Sequence, residues 1–390
     1  MPLGVPGGVG ALRVLADLRA ALDGSGPALA PHPVEQPPPG LPTTGGDDLP
    51  PDLPPGVALV IGTSGSTGRP KRALLTASAL RASADATHAR LGGPGQWVLA
   101  MPAHHVAGIQ VLVRSLVAGT HPVAVDTTDG FTVEAFAAAT RDLAGQHPRH
   151  YTALVPTQLV RLLDDPTGRA ALRRYDAVLL GGAATPPSLR ARAADAGVRV
   201  TTTYGMSETA GGCVYDGRPL DGSRVRLDEG RISLGGPTLA EGYLGEPELT
   251  AAAFTRDGAG TRWFLTDDLG TLDEDGRLRV EGRVDDLVNT GGVKVAPRLV
   301  EDALLAHVPG VTEAVVVGVP DPEWGQAVGA ALVVSPPHQA PTVGEVRARL
   351  RGILPDHALP RRVRTLEAIP LRGPGKPDRI AVRSCLVQAG

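Results

Sequence analysis

Six short apolar runs, separated by stretches with helical periodicity, constrain the fold of this 390-residue chain more than any other feature. The runs cover residues 57–62, 97–102, 121–125, 151–156, 176–182 and 198–205. The helical stretches between them are Ala77–Leu91, Gly108–Val117, Val133–Ala144, Gln158–Leu163 and Pro186–Ala196. Strands that alternate with helices form largely parallel sheets. The sequence therefore predicts an α/β architecture for this part of the chain.

Three of the predicted strands end in polar or glycine-rich sequence. Residues 62–67 read GTSGST, residues 180–184 read LGGAA, and residues 202–209 read TTYGMSET. Ligands of open α/β sheets bind beyond the carboxyl ends of the strands. We therefore expect the functional site at these three segments.

The first of these segments belongs to the stretch GTSGSTGRPKRALLT, Gly62–Thr76, which is typical of a loop that holds phosphate. Its backbone N–H groups and hydroxyls would donate hydrogen bonds to phosphate oxygens. It is not a Walker loop, because Pro70 precedes Lys71 and no Ser or Thr follows it. A plain Gly/Ser turn without a ligand is the alternative.

The flanking regions predict further elements. Val9–Leu22 has the pattern of a short surface helix, and Gly24–Pro55 is rich in Pro and Gly, which indicates an irregular segment. Val225–Gly282 contains short strands and Gly/Asp turns, which favours an antiparallel β subdomain.

After Arg283 the pattern predicts a compact C-terminal unit. It consists of a hairpin at 286–295, a helix from Pro297, strands at 313–319 and 328–334, a helix over 342–354 and a strand near 363. We therefore expect two domains, an N-terminal one of residues 1–282 and a mobile C-terminal one of residues 283–390.

Charge and cysteine content exclude some functions. A net charge of −3 with no basic stripe argues against nucleic-acid binding. The N-terminus lacks the basic start and apolar run of a signal peptide, and no apolar stretch reaches the length of a membrane span. Cys213 and Cys385 are far apart and fit no metal-ligand spacing. We expect a cytoplasmic protein without membrane insertion.

Lysine is rare in this chain. Of 38 Lys and Arg residues only Lys71, Lys294 and Lys376 are lysine, so 38 − 3 = 35 are arginine. A compact ammonium cannot be replaced by a wide guanidinium where geometry is tight. The three lysines, each near glycine-rich sequence, are therefore functional candidates, with chance survival on the surface as the alternative.

Five motifs, in order, resemble those of the acyl-adenylate-forming superfamily, which includes acyl-CoA synthetases, nonribosomal adenylation domains and luciferases. They read TSGSTGRPK (63–71), TTYGMSET (202–209), WFLTDDLG (263–270), GRVDDLVNTGGVKVAPRLVE (282–301) and GPGKPDR (373–379). The resemblance implies a large N-terminal domain of several subdomains, with mixed and parallel sheets, helices and a small antiparallel β subdomain. It also implies a small α+β C-terminal domain.

A closer resemblance is to the o-succinylbenzoate–CoA ligase group within that superfamily. The features are HHVAGIQVLVRSLVAG (104–119), YGMSETAGGCVYDG (204–217), the TDDLG form of the ribose motif and the ending GPGK. The resemblance implies an enzyme that uses ATP, Mg²⁺ and coenzyme A with a small carboxylic acid, and it leaves open a homodimer.

The resemblance assigns the phosphate and metal contacts. Ser207 would contact the α-phosphate, and Glu208 would hold Mg²⁺, a hard cation that prefers carboxylate oxygen. Taken alone, Glu208 would more often be a carboxylate at a helix start. The β- and γ-phosphates would bind the loop residues Thr63, Ser64, Gly65, Ser66, Thr67, Gly68 and Lys71.

The nucleoside contacts follow from the same motifs. Tyr204 would stack on adenine, and Asp268 would accept from the ribose hydroxyls with the help of Arg283. The adenine slot would be lined by the backbone of Gly181, Gly182, Ala183 and Gly205. A core tyrosine and a tight turn are the alternatives. Asp267 replaces the usual glycine of this motif, which puts the local backbone conformation in question.

The C-terminal motifs imply the remaining roles. Lys376 would bridge the attacking carboxylate and the α-phosphate in the transition state. Asp285 resembles the hinge about which the C-terminal domain swings. Gly291 and Gly292 would then line the pantetheine tunnel, which needs small residues. The role of Lys294 stays open between structure and function.

The acyl pocket is implied by His105, Arg114, Gly205 and Gly211. His105 would shape or gate the pocket, or it is a hydrogen-bonded histidine without a chemical part. Arg114 would pair with a carboxylate of the acid, or it is a structural arginine inside a helix.

Three functions remain open at this point. The first is an acid–CoA ligase that forms an acyl-AMP and then a thioester, with o-succinylbenzoate as the expected acid. The second is a ligase for another acid or an adenylating enzyme for a carrier protein. The third is a non-catalytic nucleotide-binding protein, which Asp267 alone favours.

Overall fold

The computed structural model describes residues 1–34, 49, 53–63, 71–143, 147–371 and 377–387. Contacts divide the chain into two compact units. The first consists of residues 1–185, 189–226 and 233–266, and the second of residues 186–188, 227–232 and 267–390. The sequence predicts a mobile C-terminal domain that begins after residue 282. Because these two units are defined by contacts and not by motion, that boundary stays a prediction.

The first unit begins with two small sheets. Strands β1 (Pro2–Val5) and β2 (Ala30–Pro33) pair in parallel, and β3 (Val57–Gly62) and β4 (Arg72–Thr76) form an antiparallel hairpin. The strand β2 corrects the expectation of irregular chain over Gly24–Pro55. Pro31 and Pro33 tolerate a place there because β2 pairs on one side only and needs few N–H donors.

A seven-stranded sheet forms the centre of the first unit. Its order is β11-β10-β9-β8-β7-β5-β6. Strands β5 to β9 run parallel, and β10 and β11 are antiparallel to their neighbours. The bounds are β5 (Gln96–Leu99), β6 (Val123–Ala124), β7 (His150–Leu154), β8 (Ala177–Leu180), β9 (Val200–Met206), β10 (Gly211–Tyr215) and β11 (Arg218–Pro219). The predicted parallel α/β architecture is confirmed.

Helices pack around this sheet. They are α1 (Leu15–Asp23), α2 (Ala77–Arg90), α3 (Val106–Ala118), α4 (Val133–Arg141), α5 (Pro156–Asp164), α6 (Pro166–Leu172) and α7 (Pro187–Asp195). A 3₁₀ turn over Gly8–Val14 precedes α1, so the predicted first helix is α-helical only in its second half. Two large clusters of buried side chains, around Trp97 and around Phe136, join the helices to the sheet.

Helix α6 was not predicted from the sequence. Its segment begins with Asp165-Pro166 and contains Gly168, which reads as a turn. In the structure Asp165 caps the helix by accepting hydrogen bonds from the N–H groups of Thr167 and Gly168. Proline is tolerated in the first turn of a helix because no hydrogen bond is lost there.

Five further strands and one short helix follow, and their sheet contains the antiparallel pairs that the sequence predicted. The bounds are β12 (Arg224–Asp228), β13 (Arg231–Gly235), α8 (Pro247–Ala253), β14 (Phe254–Arg256), β15 (Arg262–Leu272) and β16 (Leu278–Arg283). Strand β15 pairs antiparallel with β14 through its first half and with β16 through its second half.

The remainder of the second unit is a small α+β fold. Its elements are β17 (Val288–Thr290), β18 (Val293–Val295), α9 (Pro297–His307), β19 (Val311–Asp321), β20 (Gly325–Val334), α10 (Val343–Leu350), β21 (Arg362–Thr365) and α11 (Arg379–Val387). Strand β20 pairs with β17, β19 and β21. The predicted hairpin, strands and two helices are confirmed, whereas α11 was not predicted. Among the residues that the structure describes, no helix is long and apolar enough to cross a membrane.

Candidate active site

The hairpin of β3 and β4 carries the phosphate-type loop. At its base the N–H of Thr63 donates to the carbonyl of Lys71 at 2.7 Å, which closes the two strands around the loop. The ammonium of Lys71 lies 5.4 Å from the centroid of the Tyr243 ring. Residues Ser64, Gly65, Ser66, Thr67 and Gly68 lie outside the described residues, so their predicted phosphate contacts stay predictions.

A 3₁₀ turn, Ser207–Thr209, follows β9 and carries the two central candidates. Ser207 is 9% exposed and Glu208 is 7% exposed. The hydroxyl of Tyr243 donates to Oε1 of Glu208 at 2.9 Å. A buried carboxylate bound to a buried hydroxyl is held in place rather than solvated at a helix start. The geometry therefore favours the functional interpretation of Glu208.

The chain just beyond this turn is fixed by two helices. Ala210 adopts φ +51°, which a residue with a Cβ rarely does. Its carbonyl accepts from Ser83 Oγ of α2 at 3.0 Å and from Gln110 Nε2 of α3 at 2.7 Å. Sequence analysis missed Ser83, Gln110 and Tyr243. Only the glycines around Tyr243 were a signal in the sequence.

The predicted adenine slot lies at the ends of β8 and β9, which are neighbours in the sheet. A Cβ at Gly181 would lie 2.4 Å from Thr203 Oγ1, and Gly182 has φ +78°. The positive φ of Gly182 favours glycine there, and a side chain at position 181 would require Thr203 to move. Tyr204 lies on β9 and is half-buried, and Ala183 directly follows the two glycines. The structure brings these residues to one edge of the sheet, and their contact with adenine stays a prediction.

Two of the acyl-pocket candidates, His105 and Gly211, lie near the start of α3. His105 directly precedes this helix and is exposed, and its ring centroid lies 4.2 Å from that of His104. A Cβ at Gly211 would lie 3.4 Å from Gln110 and 4.0 Å from Val106. Burial, followed by the charges of His105 and His32, lowers the pKa of His104 to about 4. His104 is therefore neutral near pH 7.

Arg114 lies elsewhere. It is 3% exposed, its guanidinium stacks 5.0 Å from the Trp97 ring, and Nη2 donates to the Tyr215 hydroxyl at 3.5 Å. Its Nε is buried without a hydrogen-bond partner in the described part of the chain. These contacts favour the structural alternative for Arg114.

The second unit carries the two aspartates of the ribose motif, Asp267 and Asp268. Asp268 of β15 pairs with Arg283 of β16, and Nη1 of Arg283 lies 3.4 Å from the Asp268 carboxylate. Asp267, which replaces the usual glycine, lies 3.2 Å from Arg231 and 3.4 Å from Arg283. Asp285, the predicted hinge, lies 3.7 Å from Arg283. The extra carboxylate of Asp267 is thus paired with two guanidinium groups. Asp268 remains within strand β15 despite the replacement of the neighbouring glycine.

The glycine hairpin of the second unit packs on a tryptophan. Gly291 has φ +60°, and a Cβ there would lie 2.3 Å from the Trp324 ring. The guanidinium of Arg361 lies 4.9 Å from the Trp324 ring centroid. A cavity of about 640 Å³ beside them is lined by Thr290, Trp324, Arg347, Arg351, Asp356, His357 and Arg361. Its lining is basic, with three arginines against one carboxylate.

Lys376 lies outside the described residues, as do residues 372–375. On either side of that segment Leu371 and Pro377 form an isolated antiparallel bridge. Arg379, three residues beyond Lys376, lies 3.0 Å from Glu301 of α9 and 3.2 Å from Asp286. Lys294 is exposed on β18. The predicted role of Lys376 stays a prediction.

Comparison with protein families identifies both parts of the chain. Residues 20–244 match the AMP-binding enzyme family, and residues 299–376 match the AMP-binding enzyme C-terminal domain. Together these matches cover more than half of the sequence.

Individual relatives agree with the family matches. A probable 2-succinylbenzoate–CoA ligase of Mycobacterium tuberculosis is 45% identical over 97% of this chain and 97% of its own length. The solved structure of o-succinylbenzoate coenzyme A synthetase (MenE) from Bacillus subtilis with AMP has a TM-score of 0.70 at 26% identity, covering 84% of this chain and 69% of that one. E. coli MenE has a TM-score of 0.73 at 26% identity, covering 100% and 88%.

Proposed function

The chain belongs to the AMP-binding enzyme family, and from that premise we propose that it is an ATP-dependent acid–CoA ligase acting on o-succinylbenzoate. The observation that carries the proposal is the pairing of buried Glu208 with Tyr243 beside Lys71, at the base of the phosphate-type loop. This arrangement suits the binding of a triphosphate with its cation. The Mycobacterium tuberculosis relative, similar along nearly its full length, supports the acid substrate.

The first step joins the acid to AMP. A carboxylate oxygen of the acid attacks the α-phosphorus of ATP, an O–P bond forms, and the bond to the leaving pyrophosphate breaks. Carboxylates have a pKa of about 4 and are ionised at pH 7, so no general base is needed. The protein has to position the reactants in line and neutralise charge. Lys71, Ser207 and Lys376 would supply these contacts.

Magnesium fits the donor set of this site. Glu208 offers a hard carboxylate oxygen, and Mg²⁺ is commonly held by one or two carboxylates together with substrate phosphates. When bound, the ion would neutralise phosphate charge. Glu208 would orient it.

The second step makes the thioester. The CoA thiol loses its proton to solvent, and the resulting thiolate attacks the acyl carbonyl carbon. A C–S bond forms and the C–O bond to AMP breaks, so AMP leaves with the electron pair. The arginine-lined cavity beside the Gly291–Gly292 turn suits the phosphates of CoA, because Arg347, Arg351 and Arg361 can donate to phosphate oxygens. The glycines would let the thin pantetheine arm pass.

The proposal is tested by following the two half-reactions separately. We expect pyrophosphate release from ATP with o-succinylbenzoate, and AMP release with thioester formation only after CoA is added. Replacing CoA by a carrier protein should give no thioester, and Lys376→Ala should abolish pyrophosphate release. Absence of pyrophosphate release with o-succinylbenzoate, while another aryl or dicarboxylic acid supports it, would refute the substrate assignment. Absence of release with every acid would refute the activity.

A further inference from the structure

We propose that Tyr243 is a positioning residue that sets the Glu208 carboxylate for its cation and links it to Lys71 at the phosphate loop. The inference rests on the proposed function, because it concerns how ATP and its cation are held. Tyr243 lies outside the five motifs that carry the resemblance to the acyl-adenylate-forming superfamily. Its assignment comes from three contacts in the first unit.

The first contact is the hydrogen bond to Glu208. The hydroxyl of Tyr243 donates to Oε1 at 2.9 Å, and the two residues are 5% and 7% exposed. The last torsion of a glutamate side chain is broad, so a carboxylate without a partner samples many orientations. A buried O–H donor on one oxygen selects a single orientation before the cation arrives. Such second-layer hydrogen bonds typically change metal affinity by about 10- to 100-fold.

The second contact is with Lys71. Its ammonium lies 5.4 Å from the Tyr243 ring centroid, within the range of a cation–π interaction. The ring therefore places the ammonium at the base of the phosphate loop, while the hydroxyl of the same side chain orients the carboxylate. Tyr243 thus positions both the proposed phosphate ligand, Lys71, and the proposed cation ligand, Glu208.

The third feature is the backbone around Tyr243, which prevents the ring from moving away. Residues 241–244 run along β4: Leu74 N–H donates to Gly242 O at 2.9 Å, and Leu244 N–H donates to Arg72 O at 2.8 Å. The Ala240 N–H donates to the Glu208 carbonyl at 2.8 Å. The ring also packs edge-on against Phe254 at 5.7 Å between centroids. The segment that carries Tyr243 therefore contacts the loop hairpin on one side and the Glu208 turn on the other.

The test compares Tyr243→Phe with a matched control, Tyr175→Phe. Tyr175 is also a fully buried tyrosine, and its hydroxyl shares a hydrogen bond with Thr140 Oγ1 at 2.8 Å in a separate cluster. ATP binding is measured by calorimetry on the whole protein, once with Mg²⁺ and once with EDTA. We expect Tyr243→Phe to weaken ATP binding about tenfold with Mg²⁺ and much less without it. Tyr175→Phe should change neither value.

Lys71→Gln adds a second arm. It should weaken ATP binding both with and without Mg²⁺, because the ammonium acts on phosphate. The variant that combines Tyr243→Phe with Lys71→Gln should lose less ATP affinity than the product of the two single losses, since the two residues are in contact. Equal losses for Tyr243→Phe with and without Mg²⁺, or no loss at all, would overturn the inference.

The outcome is separable from that of the proposed function. If the wild-type protein binds ATP with Mg²⁺ but Tyr243→Phe binds it equally well, this inference alone fails. If the wild-type protein binds no ATP under either condition, the proposed function fails and the inference falls with it.

Discussion

His88 and Arg114 show how burial decides the behaviour of single side chains. His88 on α2 accepts a hydrogen bond from Trp97 Nε1 at 3.4 Å, and Arg114 stacks on the same tryptophan. Burial, followed by the charges of Arg114 and His147, lowers the pKa of His88 to about 4. His88 is thus neutral in the folded protein near pH 7. Of the two side chains that contact Trp97, only the guanidinium of Arg114 is charged.

This lowered pKa predicts how stability depends on pH. Above about pH 6.5, His88 is neutral in the folded and the unfolded chain and contributes no dependence. Between pH 6.5 and 4 the unfolded chain binds a proton that the folded chain does not, so the free energy of unfolding falls as pH falls. His88→Gln keeps a hydrogen-bond acceptor and should make the melting temperature less dependent on pH in this window.

The control for that measurement is His307→Gln, at an exposed position at the end of α9. Its melting temperatures should follow the wild type across the same pH range. Identical slopes for His88→Gln and the wild type would contradict the prediction. Part of the pH dependence of the melting temperature should remain in His88→Gln, because the pKa of His104 is also lowered to about 4.

At the scale of elements, β9, the following turn and β10 act as one unit. Gly205 of β9 pairs with Gly212 of β10, and a Cβ at Gly205 would lie 2.1 Å from the Gly211 carbonyl oxygen. No real Cβ makes so close an approach. The two strands therefore need glycine at this crossing, and the Glu208 turn between them depends on it.

We predict that Gly205→Ala disrupts this unit. The extra methyl group must push β9 and β10 apart, at a cost of about 1–3 kcal/mol in the free energy of unfolding. Because Glu208 lies in the connecting turn, ATP-dependent pyrophosphate release should fall more than stability alone explains. Chemical denaturation and the half-reaction assay measure the two effects.

A matched substitution is Gly258→Ala, where a Cβ would meet no heavy atom within 4 Å and φ is not positive. It should leave stability within about 0.5 kcal/mol of the wild type. A Gly205→Ala protein as stable and as active as Gly258→Ala would show that the strands can separate without loss.

At the scale of the whole molecule, each compact unit has its own core and its own chemical features. The first unit carries Lys71 and Glu208, and its core surrounds Trp97 and Phe136. The second unit carries the ribose motif and the arginine-lined cavity, and its core includes Leu304 and Val316. Asp268 of the second unit is assigned to the ATP ribose, whereas the arginine-lined cavity of the same unit is assigned to CoA alone. A substitution in the cavity should therefore affect thioester formation without affecting adenylation.

Arg351→Ala tests the assignment of this cavity to CoA. Arg351 lines the cavity of the second unit, so its loss should raise KM for CoA about tenfold, the order of one charge-assisted hydrogen bond. Acid-dependent pyrophosphate release should stay unchanged. Steady-state assays with varied CoA and with CoA omitted measure the two effects.

Arg349→Ala is the control, because Arg349 is exposed in the last turn of α10, two residues before Arg351, and does not line the cavity. It should leave KM for CoA unchanged. An equal rise in KM for both variants would indicate a general charge effect, and a rise for neither would place CoA elsewhere.

The sequence alone was sufficient for the α/β class, for all six predicted strands of the first unit and for the family. Periodicity of 2 and 3.6 residues is a local property, and the motifs around Thr63, Glu208 and Asp268 are contiguous, so both can be read without knowing the fold. Helices α6, α8 and α11 were missed. Pro166 and Gly168 in α6 resemble turn residues until the cap at Asp165 is seen.

Tertiary structure decided how the candidate residues are held. Tyr243 reaches Glu208 across 35 positions of sequence, and Gln110 reaches Ala210 across 100. Arg114 lies in a motif-bearing helix, yet its side chain is buried against Trp97. Contacts between distant residues depend on how sheets and helices pack, and no local pattern records that packing. The sequence therefore specified which chemical groups are present, while the fold determined which of them touch.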